Sequence, residues 1–188
     1  MPPTMSAEAH TTHASVVDKE TITMLRTVHQ RQVSLNSLAD QKANVLLSVV
    51  SIVLSIVLTK LDFSLFDTFA RLLLLLLFVG FEIVGVIMGL LVVFPRLVFR
   101  RSGTSVEALS NPLFFGEFSA LPQDVFVAYV MNEIQSAKRT YELLLVDIYQ
   151  AGIGLSWKYR HLRFAYLATV LGAVPGLILA VKTVVSGG

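Results

Sequence analysis

Residues 71–94 form an apolar run with a single carboxylate, Glu82, set in its middle, and two further apolar runs lie at 45–58 and 164–185. A helix rises about 1.5 Å per residue, so about 20 apolar residues cross a hydrocarbon core about 30 Å thick. The runs at 71–94 and 164–185 reach that length on their own. The first run does so when counted from about Asn44 to about Leu61, with serines tolerated because a hydroxyl returns its hydrogen bond to the preceding turn. The expected fold is an all-α membrane protein with about three transmembrane helices and a cytoplasmic layer of amphipathic helices.

Composition supports that class. A hydrophobic share of 54% against a charged share of 15% is more apolar than a water-soluble domain of this length carries. A net charge of +2 is too small to argue for a nucleic-acid partner, and the basic residues flank the apolar runs instead of forming a separate patch. The absence of cysteine excludes disulfides, thiolate metal ligands and thiol nucleophiles.

The flanking charges predict orientation. Arg26, Arg31 and Lys42 precede the first span, while Arg96, Arg100, Arg101, Lys158, Arg160 and Arg163 bracket the segment between the second and third. The positive-inside rule puts both groups in the cytoplasm, leaving the link 60–67 and the C-terminus, with Lys182, outside. The polar stretch 1–15 has no basic region leading into an apolar one, so no cleavable signal is expected and the first span is expected to serve as its own. The expected organisation is a disordered tail over 1–15, a cytoplasmic helix leading into the membrane over 16–43 and a two-helix transmembrane hairpin over 44–95. A cytoplasmic helical segment over 96–162 follows, then a third transmembrane helix with a short outer tail over 163–188.

Val17, Thr21, Met24, Val28, Arg31, Leu35 and Leu38 recur at the spacing of one helical face, running unbroken towards Val45 and Val49. This predicts one long helix whose inner part packs against another. After Pro95 come turn residues and a connector that holds Asn111-Pro112-Leu113-Phe114-Phe115-Gly116, a turn opener with two aromatics suited to docking rings in a pocket or pinning the loop to a helix. From Pro122, Val127, Val130, Ile134, Ala137, Tyr141, Leu144 and Ile148 keep the same spacing, predicting a second inner amphipathic helix whose stripe faces the first. Gly152 and Gly154 are positions where it can loosen or bend before Trp157, Lys158, Tyr159 and Arg160 lead into the last span.

Glu82 cannot face lipid while ionised, a state that costs from about 2.5 kcal/mol upward. It reads as a pore or proton-pathway carboxylate, or as a protonated acid bonding across to a serine of the first span. Asn44, Ser48, Ser51 and Ser55 share one face, in line with Gln41, and either bond helix to helix or line a water-filled path between assembled chains. Gly85 with Gly89, and Gly172 with Gly176, permit close helix approach, and Pro175 can kink the last span. His10, His13, His29 and His161 have no metal-binding spacing, and no phosphate loop, nucleophile elbow or zinc-protease helix is present. No metal, no cofactor, no catalytic residue and no enzymatic activity are expected. The charges near the inner surface, Asp40, Lys42, Asp147, Lys158, Arg160 and Arg163, read as headgroup contacts or, for a subset, as a cup for a small anion with Phe114 or Phe115 against a base.

Three blocks in order carry a resemblance: Ala39-Asp40-Gln41-Lys42-Ala43 before the first span, Asn111 to Gly116 in the inner segment, and Asp147-Ile148-Tyr149 through Lys158-Tyr159-Arg160-His161-Leu162-Arg163 before the last. From about Arg26 to the C-terminus the chain resembles the transmembrane effectors of Pycsar antiphage systems, the PycTM family. The resemblance implies a bacterial inner-membrane effector encoded beside a pyrimidine cyclase. That cyclase makes cyclic CMP or cyclic UMP on infection, and the second messenger activates the effector, with loss of membrane integrity and abortive death of the cell. On that basis Asp40, Lys42, Asn111, Phe115, Asp147, Lys158 and Arg160 are candidates for nucleotide sensing or coupling. Ser51, Ser55 and Glu82 are candidates for the membrane pathway. The partners expected are the lipid bilayer, the cyclic nucleotide, the cyclase as functional partner and further copies of the chain in a homo-oligomer. The rival readings are a structural or accessory membrane subunit that docks a cytoplasmic partner, and a small ion or proton channel built on Glu82.

Overall fold

The computed structural model describes the backbone of residues 5–59, 69–94 and 109–186 and the side chains of 19–59, 69–94 and 109–182. The elements are α1 (Met5–Thr59), α2 (Phe69–Val93), the single turn α3 (Phe115–Phe118), α4 (Gln123–Glu133) and α5 (Ala137–Ser186). Among the described residues there is no strand, and α1, α2 and α5 each hold a stretch long and apolar enough to cross a membrane. The protein is an all-α membrane protein. The link 60–67, Pro95 and Arg96, Arg100 and Arg101 lie outside the described residues, and the tail expected over 1–15 overlaps the start of α1, where no side chain is described.

The chain forms two compact units, one from Met1–Leu35 and Leu97–Gly154, the other from Asn36–Arg96 and Leu155–Gly188. The second unit is a three-helix bundle. Small residues set its packing: Ala39 and Ala43 of α1 meet Val92 of α2 and Leu162 of α5, and one turn deeper Leu46 and Val50 meet Ala165. A Cβ on Gly176 would sit 2.7 Å from Phe78 Cδ2, one on Gly172 3.1 Å from Glu82 Oε1, and one on Gly85 2.7 Å from Thr169 Oγ1. Rising numbers on α2 meet falling numbers on α5, so the two run antiparallel, and each glycine seats a side chain of its neighbour. The paired glycines thus bring helices together within the chain, as such spacing permits. Pro175 is buried within α5, which continues through it.

Two expectations are corrected. The inner helix starting near Pro122 is not continuous. α4 ends at Glu133 and α5 starts at Ala137, with Gln135 and Ser136 donating to Asn132 and Glu133 carbonyls in a tight turn. Ser136 stands at the cap position of α5, and Arg139 closes the corner on Glu133 at 3.6 Å, so local chemistry breaks a helix whose apolar spacing stays in phase across the break. The break does not fall at the glycines, since α5 is helical through Gly152 and Gly154 over 50 residues. Finally, the stripe Met24, Val28, Leu35 and Leu38 is exposed, and the face of α1 that packs is one position on: Leu25, Ala39, Ala43, Leu46 and Val50. Alanines let a neighbouring helix approach closely, and that outweighs the larger side chains of the adjoining stripe.

Candidate functional site

In the first unit a buried carboxylate organises the connector. Glu117 Oε2 accepts from the backbone N–H of Ser110 at 2.7 Å and of Asn111 at 2.9 Å, and its Oε1 takes the Ser110 hydroxyl. Asn111, 1% exposed, bends the chain by accepting the Leu113 N–H on its own Oδ1, the turn an Asn-Pro opening favours. Its amide nitrogen then donates to Asp147 Oδ1 on α5 at 2.9 Å. Asp147 also faces His29 of α1, with His29 Nδ1 at 3.6 Å from Oδ2. Gln150 adds a donor to the Ser110 carbonyl at 3.2 Å. The result ties the connector to both long helices through one asparagine and one aspartate.

Gln32 of α1 reaches the Ile148 carbonyl at 2.9 Å, an approach left open by Gly152, where a Cβ would lie 3.2 Å from Gln32 Nε2. Gly152 therefore admits a neighbour's side chain against its helix. On the connector, Gly116 leaves room for the Phe114 ring, which lies 5.0 Å from the Phe115 ring, and Phe115 is 57% exposed. On α4, burial raises the Tyr129 phenol above its ordinary range, with the Glu133 charge adding to the rise and Arg139 opposing it.

In the second unit Lys158 Nζ bonds Asp40 Oδ1 at 2.6 Å, and one turn away His161 Nδ1 lies 2.9 Å from the Trp157 carbonyl with the two rings in contact. Tyr166 donates its hydroxyl to the Lys42 carbonyl at 3.3 Å. The side chains of Lys42 and Arg160 are exposed. The sequence candidates thus fall into two pairs, Asn111 with Asp147 and Asp40 with Lys158, while Lys42, Phe115 and Arg160 stand open on the surface.

The membrane candidates separate. Ser51 and Ser55 are exposed and return their hydroxyls to the Leu47 and Ser51 carbonyls at 2.8 Å, as Ser48 does to Asn44 at 2.9 Å. These hydroxyls are satisfied inside α1 and do not tie helix to helix within the chain. Glu82 is 1% exposed and turned inward against α5, beside Gly172 and Thr169, and so meets the last span instead of a serine of the first. Thr169 is its polar neighbour, yet Glu82 Oε2 and Thr169 Oγ1 each lack a well-formed hydrogen bond. Among the described residues no group of acids and histidines could hold a metal ion.

Residues missed by sequence reasoning include Glu117, Ser110, His29, Gln32 and Thr169. Glu117 carried a legible signal, since an acid following an Asn-Pro turn and an aromatic pair has the loop's free N–H groups within reach. Gln32 and His29 carried none, because their partners are over a hundred residues away in sequence.

A family model described as the Pycsar effector protein domain, PycTM, matches residues 24–185, taking in every residue pair just described. The chain belongs to the PycTM family. Neither a curated protein nor a solved structure matches it. PycTM membership gives the protein a role as an effector in Pycsar antiphage defence, and implies in general terms a cyclic-nucleotide signal and a cyclase partner. With its three candidate spans, this PycTM chain is a membrane protein.

Proposed function

We propose that the protein is switched on by a cyclic pyrimidine nucleotide, cyclic CMP or cyclic UMP, made by a companion cyclase, and that the active form breaches the bacterial inner membrane and aborts infection. The observation that carries this reading is a single family match running through both the connector region and all three spans. Signal reception and membrane damage then reside in one chain without catalysis. The basic residues flanking the spans support an inner-membrane placement with the N-terminus in the cytoplasm, where the messenger is made.

Two features, one in each unit and each taken by itself, support a nucleotide switch. The exposed Phe115 ring, held by the pinned connector, suits a base, and base–aromatic stacking contributes about 1–3 kcal/mol. Lys158 is held by Asp40, and a phosphate is a competing anion for that ammonium, with exposed Arg160 two residues on. A ligand shifts a two-state protein only by its differential affinity for the two states, and exchanging Asp40 for phosphate supplies such a difference.

The test is dye release from liposomes carrying the purified protein, with cyclic CMP, cyclic UMP and cyclic AMP added separately. Release with one cyclic pyrimidine and not with cyclic AMP is expected. Asp40→Ala, which frees Lys158, should lower the nucleotide concentration needed by about tenfold, whereas Lys158→Ala should raise it. Inserted, folded protein that stays tight with every nucleotide would transfer the reading to an accessory subunit, and steady leakage without nucleotide would transfer it to a constitutive channel.

A further inference from the structure

The contact between α2 and α5 in the second unit is built in layers, and two adjacent layers within the apolar runs are polar. Phe78 of α2 fills the notch at Gly176, Glu82 lies against Gly172, and one turn on Thr169 of α5 turns back onto Gly85. Glu82 is 1% exposed. Its Oε2 and Thr169 Oγ1 are both buried, and among the described residues neither has a well-formed hydrogen bond, although the two side chains are polar neighbours. The serines of α1 behave differently, since Ser48, Ser51 and Ser55 return their hydroxyls to their own helix within 2.9 Å. Thr169 turns its hydroxyl towards α2, to within 2.7 Å of where a Cβ on Gly85 would stand.

A polar atom that has lost water without gaining a partner destabilises the packed state, whereas an apolar side chain of the same shape in its place is neutral or stabilising. In a spanning segment the cost is sharper, because lipid offers neither donor nor acceptor. Valine and methionine have nearly the shapes of threonine and glutamate, and would close these layers as Phe78 closes the one beside them. The chain instead places here the two groups that gain most from water.

We propose that Glu82 and Thr169 form a hydration site between α2 and α5, the point at which these helices part and admit water, and that the leak of the active form passes through it. A water that meets both Oε2 and Oγ1 has two polar partners, which is enough to hold it inside a protein. Gly85 and Gly172 bring no side chain into the gap, so a small separation of the helices opens the carboxyl and the hydroxyl to water at once. The Phe78 layer works in the opposite sense, since an apolar constriction excludes water while it stays narrow. The packed form is therefore sealed at Phe78 and loosened at Glu82, and an activating ligand needs only a small differential affinity to shift it. The serine face of α1 offers less, because its hydroxyls are already satisfied. The route of the leak rests on the effector reading. The hydration site is read without nucleotide and without any leak, so failure of one is distinct from failure of the other.

The chain has no cysteine, so single cysteines report water cleanly. Thr169→Cys inside the contact and Val170→Cys beside it, at a position 62% exposed on the outside of the bundle, stand at nearly the same depth. In the full-length protein in liposomes, a charged methanethiosulfonate should modify Thr169→Cys at least about five times faster than Val170→Cys. Adding Glu82→Met should slow Thr169→Cys at least about fivefold. In detergent, Thr169→Val and Glu82→Met should each raise the unfolding temperature, by about 3 °C. Equal rates at the two cysteines, an unchanged Thr169→Cys rate on adding Glu82→Met, or a lower unfolding temperature for Thr169→Val would each overturn the proposal; the last outcome makes Thr169 a bonded partner that holds the two helices together.

Discussion

Glu117 holds the connector together, and its loss should be felt more than that of any other charge in the first unit. Its carboxylate takes two backbone N–H groups and a hydroxyl, so Glu117→Ala strands donors that water reaches only after the loop opens. Leaving a buried donor unpaired costs about 1–3 kcal/mol, more for partners of a charge, so a loss of about 2 kcal/mol or more is expected. Glu117→Gln, which keeps one acceptor oxygen, should lose less. Thermal unfolding in detergent reads the order Ala below Gln below the parent, and an unchanged melting temperature for Glu117→Ala would show that the loop's N–H groups find other partners. Asn111 and Asp147 were legible as polar residues in short blocks, but their bond was not. Its geometry depends on a turn set by Glu117, a residue whose burial no local pattern announces. Lys158 and Asp40 were legible as charges at a membrane edge, yet their pairing across 118 positions needs the parallel course of α1 and α5.

Among the elements, the three spans could be read from the sequence because hydropathy is a sum over neighbours and needs no tertiary information. The faces of those helices could not. On α1, large side chains at Met24, Val28, Leu35 and Leu38 looked like core, whereas the packed face is built on Ala39 and Ala43, which bury little surface but allow close approach. Likewise the break at 134–136 was hidden because α4 and α5 keep their apolar spacing in phase across it. Close approach also gives the sharpest element-scale prediction. Gly176 and Gly80 are both glycines within spanning helices, but a Cβ at Gly176 would meet the Phe78 ring at 2.7 and 2.9 Å while one at Gly80 meets nothing within 4 Å. A ring fixed in a packed core yields at a cost of about 1–3 kcal/mol. Gly176→Ala should therefore lower the unfolding temperature of the detergent-solubilised protein, and Gly80→Ala should leave it unchanged or raise it through better helix propensity. Equal effects would mean that α2 and α5 do not interlock through Phe78.

For the whole molecule, the single crossing by the last span fixes a relation that does not depend on which way the chain inserts: the connector before that span and the end after it must lie on opposite faces of the bilayer. The charge distribution then selects the direction. Lys158, Arg160 and Arg163 stand at the start of the last span, against Lys182 at its other end, and moving more cations across the membrane is the costlier course. The expected outcome is that a membrane-impermeant maleimide labels Lys182→Cys in intact spheroplasts and labels Ala120→Cys, on the exposed end of the connector, only after the inner membrane is opened. The reverse pattern would leave the three-span fold standing while removing the connector from the compartment where a cyclase makes its product. Labelling of both sites from the same side would instead remove one span, and with it the parallel course of α1 and α5 on which the Asp40–Lys158 pair depends. The experiment therefore separates an error in orientation from an error in fold. Only the first outcome keeps Phe115, Arg160 and the Asp147 network facing a cytoplasmic messenger.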